Sequence, residues 1–257
     1  MIPAMVGRSK RRSPVNVNGA VALVTGAGSG LGRAIAEALA RRGARIAVHY
    51  HDSIEGARSV VEDAGGSPRA LAIRADLRSP PDIMALLDQT VERFGRVDLL
   101  VNNAAVLVRT PVEELDAPAW DAIHALNLRA PALLASWAGE RMRRSGGGVI
   151  VNIGDLAGIE PWPAYLAHAT AKAGLHHLTR CLALALAPAV RVNAVAPGLV
   201  DPPPGWSEER IQRFRRRVPG GRLPSPAEVV HTVLALIEND AVTGQVLVVD
   251  GGQTLSF

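Results

Sequence analysis

Tyr165, His168 and Lys172 stand three and then four residues apart in the stretch 162–187, WPAYLAHATAKAGLHHLTRCLALALA. Alanine and leucine dominate it, Pro161 and Pro163 stand at its start, and Pro188 closes it, a pattern that predicts one long helix. On a helix that spacing stacks a phenol, an imidazole and an ammonium on one face over two turns. Groups of this kind beside a pocket move protons. The chain holds 28 basic residues, yet only Lys10 and Lys172 are lysines, so beyond Lys10 every other cationic side chain is arginine. A compact ammonium with a movable proton is what arginine cannot supply.

A chain of 257 residues, 48% hydrophobic and 20% charged, is long enough for one large α/β domain and is globular in composition. No apolar run reaches membrane-spanning length without a charge or proline. The single cysteine, Cys181, excludes a disulfide framework and points to a reducing, cytoplasmic compartment. The formal charge of +4 comes from Arg8, Lys10, Arg11 and Arg12, because residues 1–18 hold no acid and the remainder carries equal numbers of each sign. We therefore expect a disordered basic tail over 1–18, a single domain over 19–257, and neither a nucleic-acid nor a membrane partner. His49, His124, His176, His177 and His231 read as ordinary strand or helix histidines, and no cluster has metal-ligand spacing.

The elements that must position the reactive groups follow in order. Residues 20–26 form a buried strand, and Gly26, Gly28, Ser29, Gly30 and Gly32 form a loop before a helix from Leu31 to Arg42. A strand, a glycine loop and a helix start make an anion site, with backbone N–H groups and the helix dipole aimed at a phosphate. A second strand, 45–51, ends at Tyr50 and His51, where a dinucleotide fold reads the adenosine ribose. No carboxylate ends that strand; His51 and Ser53 are placed to receive a phosphate, Asp52 opposes it, and Ser53 is expected to cap the next helix. Strands are expected at 69–76, 97–105, 148–158, 190–198 and 245–252, with a helix over 119–143 carrying Asn127. The fourth ends in Asn103, Ala104 and Ala105, whose small side chains let a flat ring approach the backbone. The fifth delivers Asp155. This alternation predicts a Rossmann-type, doubly wound, seven-stranded parallel sheet in one domain, with ligands beyond the carboxyl ends of the strands. Residues 199–226, rich in proline and arginine, suit either a substrate lid or a solvated helix face.

Together these residues resemble the short-chain dehydrogenase/reductase family over 19–253. The match rests on Thr25-Gly26-x-x-x-Gly30-x-Gly32, Asp76, Asn102-Asn103-Ala104, Asn127, Lys172 and Pro197-Gly198. The resemblance implies that Asp76 and Leu77 lie near the adenine, that Pro197 and Gly198 form the turn by the nicotinamide, and that Lys172 holds the nicotinamide ribose. It implies a proton relay through Asn127 and a homodimer or homotetramer paired through the helices at 119–143 and 162–187. The chain departs from the family at two positions: His168 stands where the family has its catalytic tyrosine, and Asp155 where it has serine. Aspartate there, Tyr165 three residues before the catalytic position, and HYH-x-S on the second strand resemble the pteridine reductase branch. That resemblance implies NADP(H) rather than NAD(H) and places Tyr165 against the substrate. The branch's pterin-stacking aromatic is Leu107 here, so Trp162 or Trp206 is left to supply a plane.

Two functions stay open. In the first, the chain is an NADPH-dependent reductase of a C=O or C=N bond in a small substrate, pterin-like by the branch resemblance. Imidazole is a better acid near neutral pH than phenol, whose pKa is near 10, so Asp155 would orient His168 while His168 donates the proton. This requires the ring to reach the nicotinamide side of the cleft. In the second, the chain binds NAD(P) as a sensor or structural subunit with little turnover.

Overall fold

The computed structural model describes residues 15–256 apart from 201, 203, 204 and 217. Residues 1–14 of the expected basic tail lie outside the described residues. The rest of that stretch is not tail: Val17 is 5% exposed and Val15 packs on the same core, so the fold takes up the chain before residue 19.

Seven strands form one parallel sheet: β1 (Val21–Val24), β2 (Arg45–Tyr50), β3 (Ala70–Arg74), β4 (Leu99–Asn102), β5 (Gly148–Ile153), β6 (Val190–Pro197) and β7 (Val246–Val249). The order β3-β2-β1-β4-β5-β6-β7 reverses direction between β1 and β4, and all six pairings are parallel. Helices cover both faces, which is why the inner strands are apolar on both sides. Ala22 and Val24 pack towards α1 (Gly30–Arg41), α2 (Ile54–Asp63) and α8 (Pro226–Glu238). Val21 and Leu23, alternate residues of the same strand, pack towards α3 (Pro80–Phe94), α5 (Ala130–Arg144) and α6 (Leu166–Leu186). The strands are shorter than the apolar runs that foretold them, because the last residues of each run turn out of the sheet to build the site.

Two expected helices are corrected. The helix over 119–143 is broken into α4 (Ala117–His124), a π-turn (Ala125–Arg129) and α5. Pro131 lacks the N–H that would bond the Asn127 carbonyl and its ring crowds that carbonyl, so the chain widens by a residue there. The long helix starts at Leu166, not 162. Pro163 disfavours helical geometry at Trp162, and Tyr165 is the preceding cap residue with φ −136° and no side-chain cap. Thr110 caps the helix from outside. Its Oγ1 accepts from Ala167 N at 3.2 Å, and its carbonyl accepts from Leu166 N at 3.3 Å. The phenol therefore leaves the helical face that His168 and Lys172 share. The segment 199–226 contains a short helix, α7 (Glu208–Arg215), with no buried residue.

A polar chain ties the carboxyl ends of two strands to α6. Asn102 Nδ2 donates to Asn152 Oδ1 (2.9 Å), and Asn152 Nδ2 donates to Thr179 Oγ1 (2.9 Å). All three side chains are buried; Asn102 and Asn152 find their side-chain partners in this polar chain, while Thr179 Oγ1 also donates to the Leu175 carbonyl at 2.8 Å. Asn152→Ala, which leaves the buried Asn102 amide unmatched while Thr179 Oγ1 keeps its bond to the Leu175 carbonyl, is expected to lower unfolding stability by about 2 kcal/mol with an unchanged denaturant slope, measured by urea titration.

Candidate active site

A cavity of 640 Å³ opens over the carboxyl ends of β1 to β4, across the point where the strand order reverses. Gly26, Gly28, Ser29, Leu31 and Gly32 line it from the β1–α1 loop, and Tyr50, His51 and Ser53 from the end of β2. Asp76 and Leu77 line it after β3, and Asn103, Ala104 and Ala105 after β4. Of the residues expected to hold a dinucleotide, Gly30, Lys172, Pro197 and Gly198 are not on its wall. Gly30 opens α1, while Pro197 and Gly198 close β6, where Gly198 N donates to Val249 O at 2.9 Å.

The cradle is one that side chains would fill. A Cβ on Gly28 would meet the Ser53 carbonyl at 2.7 Å, and one on Gly32 would press on the Gly26 carbonyl and Asn103 Nδ2. Gly30, at φ +52°, has open space where its side chain would be. The first turn of α1 carries no acidic residue, and Ser29 makes no capping bond, so the N–H groups there face the cavity uncompensated. These features fit the diphosphate of a dinucleotide. Asn103 holds the loop from the β4 side, its Nδ2 donating to the Thr25 carbonyl at 3.0 Å.

His49, read from sequence as an ordinary strand histidine, lines the cavity as well. Its Nδ1 accepts from Gly26 N at 2.9 Å, and its Nε2 donates to the Ala75 carbonyl at 3.2 Å. Burial pushes its pKa down to about 4, so the ring stays neutral and keeps the lone pair that fixes the loop. Polar His49 within an otherwise apolar strand was the available signal. At the ribose end, Ser53 precedes α2 but its hydroxyl makes no capping bond, which corrects the expected cap. His51 Nδ1 pairs with Asp52 at 2.8 Å, and Arg78, which sequence reasoning passed over, lines the cavity while gripping Asp76. That grip holds the Asp76 carboxyl down at about 2.

Beside this cavity, beyond β4 and β5, lies the proton-carrying cluster. His168 Nε2 is 3.2 Å from Asp155 Oδ2, and its Nδ1 is 3.0 Å from the Val106 carbonyl. Asn127, turned inward by the π-turn, accepts from Val106 N (2.9 Å), donates to Val106 O (2.8 Å) and lies 3.2 Å from His168 Nδ1. Lys172 Nζ donates to the Ile153 carbonyl at 2.8 Å. The side chain of His168 is 3% exposed and that of Asp155 25%. The ring thus points into the protein, and the carboxylate is the member of the pair that meets solvent. Burial alone would raise the Asp155 carboxyl, but hydrogen bonds from His168 and Ala157 N and the nearby Lys172 charge hold it below its ordinary value. Burial lowers Lys172 to about 8, with Asp155 opposing the shift.

The expected substrate residues are scattered. Tyr165 stands edge-on to Trp162, with ring centroids 6.0 Å apart. Leu107 is 50% exposed, between Val106 and Val108, which line the cavity. Trp206 packs under the Arg210 guanidinium, 3.9 Å from its ring centroid, and serves α7. Among the described residues no group of three or more His, Cys, Asp or Glu side chains is placed to hold a metal ion, and no helix is long and apolar enough to cross a membrane.

Residues 26–254 match the family profile described as enoyl-(acyl carrier protein) reductase. The chain belongs to the short-chain dehydrogenase/reductase family. It is 39% identical over 243 residues to cis-4-hydroxycyclohexanecarboxylate dehydrogenase of Sinomonas cyclohexanicum, covering 91% of this chain and 96% of that one. It is 38% identical over 244 residues to a protein of Streptomyces violaceoruber assigned as a candidate ketoacyl reductase 2 of the granaticin polyketide synthase, with the same coverage of 91% and 96%. A solved Sinorhizobium meliloti structure, a candidate short-chain alcohol dehydrogenase, superposes with a TM-score of 0.86 at 32% identity, covering 93% of this chain and 98% of that one. Membership makes the chain an NAD(P)-dependent oxidoreductase. Gly28→Ala is expected to push the β1–α1 loop off Ser53 and weaken dinucleotide binding by about tenfold or more, read by fluorescence titration, with the fold intact by circular dichroism.

Proposed function

We propose that the chain reduces a ketone C=O, or a related C=N, of a small substrate with NADP(H), using Asp155 and His168 as one proton-carrying unit. The observation that carries this reading is the 3.2 Å contact between His168 Nε2 and an oxygen of Asp155, whose side chain is partly accessible at 25% against 3% for the imidazole. A nicotinamide cofactor, when bound, supplies the hydride. The proton leaves His168 Nε2, crosses to the Asp155 carboxylate it faces and passes on to the substrate oxygen as the hydride adds to carbon, leaving His168 neutral and Asp155 again ionised. The ring's other nitrogen, held by Val106 and flanked by Asn127, keeps the imidazole in one orientation. Lys172 orients the nicotinamide ribose, and its charge helps steady the carboxylate. The named relatives act, by their names, on a hydroxylated ring and a ketoacyl group, which favours a ketone over a pterin. Val106, Leu107, Val108 and Ile159 are each more than a third exposed, giving the substrate side an apolar rim that suits a carbon skeleton.

The preference for NADP(H) rests on His51, Ser53 and Arg78 around the ribose end of the cavity. We place the homodimer or homotetramer in the same proposal, since α6 leaves Leu184 83% exposed.

Asp155→Asn and His168→Ala are each expected to lower kcat for ketone reduction by about 10²–10⁴ with NADPH binding retained. Activity equal to wild type in both would dismiss the pair. The Lys172 cation is present below a pH of about 8 and lost above it. NADPH affinity should therefore weaken as pH rises through that value, and Lys172→Met should abolish the dependence. Ser53→Asp, which sets a carboxylate where a 2′-phosphate would lie, should shift the NADPH-to-NADH affinity ratio towards NADH by about tenfold.

A further inference from the structure

We propose that His176 is a positioning residue that aims the Asp155 carboxylate, an inference that rests on Asp155 being the more accessible member of the proposed proton-carrying pair. His168, Lys172 and His176 stand at successive four-residue steps along α6 and are all buried. The first two meet Asp155 by side chain or charge; the third meets its backbone. Nε2 of His176 accepts from Asp155 N at 3.5 Å, and the Gly158 backbone hydrogen-bonds the ring from the other end of the turn. The imidazole therefore spans the 3₁₀ turn Leu156–Gly158 that follows Asp155.

The two glycines bounding this turn show how closely it is seated. A Cβ on Gly154 would press on His176 Nε2 and lie 2.9 Å from Cδ2; one on Gly158 would lie 2.7 Å from Cε1 and 2.8 Å from Nδ1. Neither glycine has positive φ, so close neighbours and not the backbone conformation demand their small size: the ring at both, with the Lys172 backbone 2.8 Å from a Cβ on Gly158 and the Val195 carbonyl 3.2 Å from one on Gly154. With the amide held by His176, Oδ1 is fixed by Ala157 N at 2.8 Å and Oδ2 is left to His168. Asp155 is thereby anchored at three points, two on its carboxylate and one on its amide, and only the contact with His168 belongs to the proposed reaction.

The grip requires a neutral ring, since a protonated Nε2 would face the Asp155 N–H as a second donor. The charged groups around it are Lys172 one turn before, Arg180 one turn after and Asp155 across the turn. Burial first and the Lys172 charge second disfavour the protonated form, with the Gly158 backbone and Asp155 opposing them.

His176→Leu removes both nitrogens at similar volume, and Gly154→Ala drives a methyl into the ring. Each is expected to lower kcat for ketone reduction by about tenfold or more, as displacement of a reacting group does, with KM and NADPH affinity held. Each should also speed amide hydrogen exchange at 154–158 while exchange in β1, β2 and α1 stays at the wild-type rate. His176→Gln, which can both donate and accept, should recover part of both losses. Unchanged exchange at 154–158 in the folded variants overturns the proposal, and so does faster exchange with kcat intact. Should the wild-type protein reduce no ketone at all, the proposed reaction fails, while the exchange arm still decides whether His176 holds the turn.

Discussion

The carbonyl of Val106 is the contact on which the site depends. It accepts from Asn127 and lies within hydrogen-bond reach of the buried nitrogen of His168, so it joins the segment after β4, the π-turn and α6 at one atom. An imidazole is shorter than a phenol, and a ring so held cannot extend into the cleft. The pair's outward face is then the carboxylate of Asp155. Under the proposed function, the group that delivers the proton therefore sits at the end of β5 and not on α6.

The same kind of constraint governs the surrounding scaffold. Asn102, Asn152 and Thr179 bind the ends of β4 and β5 to α6 in the dry interior, where an unmatched amide is costly. Thr110 caps α6 from the segment following β4, which ties the apolar residues 106–108 to the start of that helix. His49 does for the phosphate loop what His176 does for the Asp155 turn: a neutral ring, buried, with one nitrogen accepting from a loop N–H. Two buried histidines thus each accept from the backbone of a loop at the carboxyl edge of the sheet.

Much of this is legible in the chain itself. The alternation of apolar runs with helical stretches leads to the parallel sheet, and the glycine loop sits where the chain reverses strand order. The four-residue step from His168 to Lys172 places both on one buried face of α6. Three features are not legible in the same way. Tyr165 lies outside the helix, which starts at Leu166 where Thr110, from a distant segment, supplies the cap. The break at Asn127 is caused by Pro131, whose effect falls one turn earlier in the chain than the proline itself. His176 has the same spacing signal as Lys172, and only its neighbour Asp155 gives that signal a meaning.

The sequence by itself determined the class of fold, the phosphate cradle and the identity of the unusual pair, because periodicity, glycine spacing and residue type act over a few residues. Only the tertiary structure decided which member of the pair meets the cleft. That depends on how deep the imidazole lies, which is set by a carbonyl sixty-two positions away in the chain. No local pattern encodes such a distance; it emerges when β4, β5 and α6 pack together.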